Sequence, residues 1–251
     1  MSKNNIILII STLLLGVALY YHLTKPPVNN LDKTIFSFIG TPGSGKGTLA
    51  EQCEKKLDFV VLSTGNLCRK NIAKKTELGK KLEKYTNSGK LAPDDLITKM
   101  VKEWLTENIK NNKPIILDGY PRTAKQADLF LEILRNDFPE QKFRIISLDI
   151  PQEEVVKRIV NRLVCENKNC QAVYNTNQIK NLDDPFCELC SSKLVKREDD
   201  REEVVRERLR VYNQTANDLL NFYKSTMQKI ETLDVNQKSK EQIFKNFKKI
   251  L

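Results

Sequence analysis

The segment Gly40-Thr41-Pro42-Gly43-Ser44-Gly45-Lys46-Gly47-Thr48 carries the clearest chemistry in the chain. Glycines without side chains let backbone N–H groups wrap phosphate oxygens, and a helix starting there adds a favourable dipole. The spacing fits G-x-x-x-x-G-K, with Gly47 at the usual Ser/Thr position and the hydroxyl of Thr48 one residue later. A loop of this form places its lysine on the β- and γ-phosphates of a nucleotide, with Mg²⁺ bridging the same oxygens. Gly43, Ser44, Gly45, Lys46, Gly47 and Thr48 are therefore the candidate phosphate cradle. The plain alternative is a glycine-rich turn with an exposed lysine. A β-type run before the loop and a helical stretch after it favour the cradle.

The cysteines form the second constellation. Cys165-x₄-Cys170 is followed, 16 residues on, by Cys187-x₂-Cys190. Two short-spaced pairs divided by a loop point to a structural Zn²⁺ held by four thiolates. Disulfides and free thiols are the alternatives. With four protein ligands no position is left for water, so the metal would stabilise a small polar lobe and not catalyse. Clustered cysteines in a chain long enough for a full core also point to a reducing compartment.

These groups need a scaffold. Thr34–Ile39 reads as a strand, residues 58–62 as a second, 113–118 as a third, 143–148 as a fourth and 230–233 as a fifth. Residues 48–57, 93–111, 124–137 and 153–163 have helical length and periodicity between them. Alternating strands and helices predict an α/β fold, a parallel sheet covered on both faces. Ligands then bind at the carboxyl ends of the strands. The stretch 165–196 breaks the alternation and reads as a loop-rich inserted lobe.

Further motifs narrow the chemistry. Ser63-Thr64-Gly65-Asn66-Leu67-Cys68-Arg69, Asp118-Gly119-Tyr120-Pro121-Arg122-Thr123 with Gln126, Arg158 to Arg162, Arg197-Glu198-Asp199-Asp200 and Arg206 to Leu209 follow the loop in order. Together with the G-K-G-T ending they resemble the adenylate kinases of the zinc-lid, long bacterial type, over about residues 34–251. The resemblance implies a P-loop NTPase-type parallel sheet with two inserted lobes, one for the monophosphate at 63–92 and a zinc-bearing lid at 162–200. It implies reversible transfer of a phosphoryl group, ATP + AMP = 2 ADP.

Residue roles follow from the same resemblance. Lys46, Arg122, Arg162, Arg197 and Arg208 are the expected catalytic cations. Arg158, Arg162, Val173, Tyr174 and Gln237 join the loop around ATP. Thr64, Arg69, Lys90, Leu91, Ala92, Gly119, Tyr120, Pro121, Arg122, Gln126, Arg197 and Arg208 surround AMP. Asp118 organises Mg²⁺ through water, and Cys165, Cys170, Cys187 and Cys190 hold Zn²⁺. Arginine suits these sites because its planar fork meets phosphate oxygens two at a time. Gln126 can read an adenine edge, since its amide both donates and accepts. Two departures stand out. Asn66 replaces the family's usual Asp and removes a negative charge, and the first cysteine pair is two residues wider than the usual C-x₂-C. A kinase for another nucleotide pair, or a membrane-tethered nucleotide-binding protein without catalysis, is the rival reading.

Bulk properties bound the rest. The chain has 251 residues, 40% hydrophobic and 29% charged, with a net charge of +10. The lysines are scattered, no RNA-binding motif is present, and a single Trp makes no stacking platform, so nucleic acid is not expected. Residues 6–23 are apolar with no acidic side chain and end near Tyr20-Tyr21. They read as an uncleaved membrane span followed by a linker to residue 30, with a signal peptide and a buried helix as alternatives. A cytoplasmic catalytic domain anchored by that segment is expected, and the family reading implies a monomer.

Overall fold

The computed structural model describes residues 31–167, 170, 172–179 and 181–251. The apolar segment at 6–23 and its linker lie outside the described residues. Among the described residues no helix is long and apolar enough to cross a membrane.

Five parallel strands form the central sheet in the order β2-β3-β1-β4-β8. They are β1 (Thr34–Ile39), β2 (Val60–Ser63), β3 (Ile115–Asp118), β4 (Lys142–Asp149) and β8 (Ile230–Asp234). The strand β1 is the centre, and all six of its residues are buried. A continuous apolar run suits a strand covered on both faces. Alternate side chains divide between those faces. Phe36 and Phe38 meet the ring of Phe247 edge-on, while Ile35 joins the cluster with Leu62, Ile115, Tyr120 and Phe130. Thr34 and Ser37 are the two polar residues of the run, and Ser37, at its middle, donates to the carbonyl of Tyr120 at 2.7 Å, so its burial leaves no orphan hydroxyl.

Helices cover the sheet. In chain order they are α1 (Lys46–Leu57), α2 (Thr64–Ala73), α3 (Glu77–Asn87), α4 (Asp94–Asn108), α5 (Ala124–Asp137), α6 (Gln152–Val160), α7 (Glu202–Ser225) and α8 (Lys240–Lys248). Start signals are local: Thr123 accepts from the Gln126 amide, and Ser239 forms a capping box with Gln242. The predicted helix 153–163 stops at Val160, because Arg162 and Leu163 open a strand instead. The stretch expected to be loop-rich carries a second sheet of three short antiparallel strands, β6-β5-β7, made of β5 (Arg162–Cys165), β6 (Val173–Asn175) and β7 (Leu194–Val195). Its small core is Leu163, Cys165, Ala172, Cys187 and Leu194. Strands of two to four residues leave too short a period to be read from sequence.

Helices α2 and α3 form a hairpin packed against α4 and β3 through Leu67, Leu82 and Ile97. Their crossing is close: a Cβ at Gly79 would lie 2.1 Å from the carbonyl oxygen of Asn71. Gly79→Ala should therefore destabilise this hairpin by about 1–3 kcal/mol through overpacking, although alanine is the better helix former by about 1 kcal/mol. Hydrogen exchange of the amides in 64–87 reads this directly. Faster exchange there, with the central strands unchanged, is the expected outcome; unchanged exchange in the hairpin would refute the contact.

Candidate active site

The phosphate loop leaves the carboxyl end of β1, turns at Pro42-Gly43 with the Ser44 N–H donating to the Thr41 carbonyl at 3.1 Å, and enters α1 at Lys46. Gly40 has φ 141°, and a Cβ there would sit 2.5 Å from the Leu148 carbonyl oxygen, so only glycine lets the loop lie against β4. Lys46 folds back into the loop. Its ammonium donates to the carbonyls of Gly40 and Thr41, both at 2.8 Å, and to Ser44 Oγ at 3.2 Å. Burial pushes this ammonium down to about 7; Arg122, Arg208 and Arg162 push the same way, and Asp118 opposes them.

The loop opens on a cleft of about 920 Å³. Gly43, Gly45, Lys46, Gly47 and Thr48 form one wall, and Arg69, Arg122, Arg158, Arg162, Arg197 and Arg208 line the others with Asp118, Val173 and Tyr174. These residues come from α1, α2, β3, α6, β5, β6 and α7, so distant stretches of chain converge here. A smaller adjoining cavity of about 90 Å³ is lined by Thr64, Lys90, Leu91, Ala92, Gly119 and Gln126, together with Arg69 and Arg122. Three expected residues stand apart from these walls. Ser44 is fully buried beneath the loop and Tyr120 has its ring in the core, its hydroxyl donating to Thr98 at 2.9 Å. Gln237 takes a left-handed turn conformation beside Lys238, which does reach the cleft.

Packing so many cations together requires counter-charge. Arg162 grips Asp200 with two parallel hydrogen bonds, Nε to Oδ2 at 2.7 Å and Nη2 to Oδ1. Arg69 Nη1 and Arg208 Nη1 both approach Asp199 Oδ2, at 3.5 and 3.4 Å. Burial alone would raise the Asp199 carboxyl, but Arg69, Arg208, Arg197 and Arg162 overcome it and hold the group below the usual carboxylate value. The arginines feel the crowding. Burial, helped by Arg69 and Arg162, pushes Arg197 down to about 9, and mainly burial takes Arg208 down to about 10. Lys46, Arg69, Arg122, Arg162, Arg197 and Arg208 thus outnumber Asp118, Asp199 and Asp200, and a polyanion fits the balance.

Other contacts aim individual groups. Arg122 Nε donates to the Gly119 carbonyl at 2.7 Å, and Arg158 Nη2 to the Val235 carbonyl at 3.1 Å. Asn66, at the position where an acid was expected, accepts from Arg69 Nη2. A neutral amide therefore still orients that arginine. Asp94, Asp199 and Asp200 were given no role by sequence; Asp199 and Asp200 stood within the Arg197–Asp200 motif, and Asp94 two residues after Ala92.

The four lid cysteines also converge. Their sulfurs all lie within 4.8 Å of one another. Cys165 and Cys190 are 3.4 Å apart and Cys170 and Cys187 3.6 Å, so each close pair joins the two knuckles. Tetrahedral zinc with Zn–S of about 2.3 Å sets sulfurs roughly 3.8 Å apart, close to these spacings and far from the ~2 Å of a disulfide. The wider first pair is thus compatible with a four-thiolate site. Tyr174 Oη lies 3.4 Å from Cys187 Sγ and accepts from the Glu188 amide, an outer contact that orients the ligand.

A sequence-family model described as Adenylate kinase matches residues 38–228. The chain belongs to the adenylate kinase family. Among similar proteins, an adenylate kinase of Archaeoglobus fulgidus is 42% identical over 187 residues, spanning 74% of this chain and 84% of that protein. One of Clostridium tetani is 38% identical over 214 residues, 85% of this chain and 96% of the relative. One of Mycoplasma capricolum is 38% identical over 210 residues, 84% and 95% respectively. The family places the chain among enzymes, as kinases and transferases that bind nucleotides.

The depressed Lys46 ammonium has a consequence for ligand binding. A polyphosphate brings negative charge, raises that pKa, and so binds with uptake of a proton above pH 7. The bound state then holds more protons than the free state. Affinity should fall as pH rises from 7 to 9, by up to about tenfold per unit. Calorimetry at pH 8 in buffers of different ionisation enthalpy checks this; heats independent of buffer would contradict it.

Proposed function

We propose that the enzyme transfers the γ-phosphoryl group of ATP to AMP and, in reverse, regenerates ATP and AMP from two ADP. The supporting observation is the single cleft where the phosphate loop faces Arg69, Arg122, Arg162, Arg197 and Arg208. Phosphoryl transfer asks the protein for positioning and electrostatic stabilisation more than covalent chemistry. In this reading Lys46 and the loop amides hold the β- and γ-phosphates, with Gly43, Ser44, Gly45, Gly47 and Thr48 forming the cradle. Arg158, Val173, Tyr174 and the backbone at Gln237 border the donor nucleoside. Thr64, Arg69, Lys90, Leu91, Ala92, Gly119, Pro121 and Gln126 surround AMP, with Tyr120 behind them in the core. Arg122, Arg162, Arg197 and Arg208 meet the charge that builds on the transferring oxygens.

Mg²⁺ bound with ATP would neutralise phosphate charge, and Asp118 at the end of β3 is the carboxylate suited to hold it through water. The residues 63–92 act as the AMP lobe and 162–200 as a lid that closes to exclude water. When phosphates arrive, they compete with Asp199 and Asp200 for the arginines, so the carboxylates keep those cations aimed in the free enzyme. Zn²⁺ on Cys165, Cys170, Cys187 and Cys190 supports the lid. The enzyme acts as a monomer, in the cytoplasm, with residues 6–23 tying it to a membrane; ATP supply and zinc thiolates both favour that side.

Turnover with AMP, CMP, UMP and GMP as acceptors tests the substrate. AMP should be best, and a better alternative acceptor would overturn the reading. Arg208→Ala should lower kcat by about 10²–10³, the range for losing a transition-state charge partner, and melting temperature separates this from misfolding. Purified protein should carry about one zinc per chain, and a chelator should unfold the lid while the central sheet survives. Less than about half a zinc per chain would count against the thiolate site.

A further inference from the structure

Gln126 is 2% exposed, yet it lines the smaller cavity, so its few free hydrogen-bonding groups decide what it can read. A primary amide offers two N–H donors and one oxygen with two lone pairs. One donor is used, because Nε2 donates to Asp94 Oδ1 at 2.9 Å. One lone pair is used, because Oε1 accepts from the Arg122 amide at 2.8 Å. One N–H and one lone pair remain. Asp94 is itself fixed, since the Thr123 hydroxyl donates to the same Oδ1 at 3.1 Å while accepting from the Gln126 backbone N–H at 3.0 Å.

This arrangement has a direction. Turning the Gln126 amide over would set its oxygen against an Asp94 carboxylate, which only accepts, and its NH₂ against the Arg122 N–H, which only donates. Both clashes oppose the flip. An amide of fixed direction distinguishes bases that a freely turning amide would read alike. A 6-aminopurine offers a donor at the 6-amino group and an acceptor at N1. A 6-oxopurine offers the reverse, an acceptor at O6 and a donor at N1, and would need the flipped amide.

We propose that Asp94 is a positioning residue that locks the Gln126 amide in the direction that accepts a 6-aminopurine monophosphate and rejects a 6-oxopurine one. The inference rests on the reading that the smaller cavity takes the adenine of the acceptor. Asp94 does not touch the base; it acts through Gln126 and Thr123. Its position in the first turn of α4 suits any acid, because of the helix dipole, but a dipole role does not require the Oδ1 contact with Nε2.

Kinetics with AMP and inosine monophosphate test the lock, since these acceptors differ only at the 6-position and its N1 proton. A site built on paired polar groups discriminates such pairs strongly, so the wild-type enzyme should favour AMP in kcat/KM by about 10² or more. Asp94→Ala should reduce that ratio by about tenfold or more, mainly through KM for AMP, with KM for ATP unchanged. Asp94→Asn keeps a carbonyl acceptor without the charge and should retain the ratio. Asp94→Ser carries the alanine expectation in a side chain that helix starts accept, should the alanine variant fail to fold. An unchanged ratio in a folded Ala or Ser variant would overturn the lock, as would Asp94→Asn losing as much as Asp94→Ala. A wild-type enzyme that does not prefer AMP would instead remove the adenine reading beneath it. The two failures are therefore distinguishable.

Discussion

Like charges crowded into a half-dry cleft repel, and this molecule is organised around that difficulty. Lys46, Arg69, Arg122, Arg162, Arg197 and Arg208 share one space, and several of them are pushed well below their ordinary pKa values. Such a cluster persists only if rigid elements hold it and buried carboxylates divide it. The parallel sheet supplies the first condition. The strands β1 and β3 end beneath the cleft, and their mostly apolar, buried interiors lock against helices on both faces. Asp199 and Asp200 supply the second, at the point where the lid strands return to α7. The same repulsion makes a polyphosphate a welcome guest, because it relieves strain that the free protein carries.

Two lobes share this economy of polar groups. At the α2–α3 hairpin Asn66 and, from the segment before α7, Asp199 hold Arg69 from two sides, so a neutral residue in place of an acid does not leave the guanidinium unsupported. In the lid, four sulfurs from two knuckles approach across the gap between them, and Tyr174 reaches Cys187 from the neighbouring strand. A lobe whose apolar core is five small and medium side chains gains its definition from such contacts.

Much of this was legible in the sequence, for identifiable reasons. The run Thr34–Ile39 and the helix Ala124–Asp137 have the expected limits, since a mostly apolar strand and a Thr-capped amphipathic helix leave little ambiguity. The phosphate loop was found because its chemistry constrains residue type and spacing, and the arginines because they sit in motifs that resemble those of the family. Tyr120 shows where that stops: it lies inside a site motif, yet its ring points into the core against Phe130. A motif fixes neighbours along the chain and not the direction of each side chain. The lid strands escaped because they are too short for a period. Asp94 escaped because its importance is a matter of which atoms its carboxylate faces, thirty-odd residues away in sequence.

The inward fold of Lys46 onto the carbonyls of Gly40 and Thr41 bears on how recognition is divided. The loop is tied from within, so its conformational entropy is lost when the chain folds and not when a nucleotide arrives. Preorganisation of this kind makes the cradle indifferent to which nucleoside hangs from the phosphates. Choice of base must then be exercised by side chains away from the loop, such as Gln126 and the Asp94 that holds it. Evolution can retune them, a residue at a time, without disturbing the anion grip at the centre.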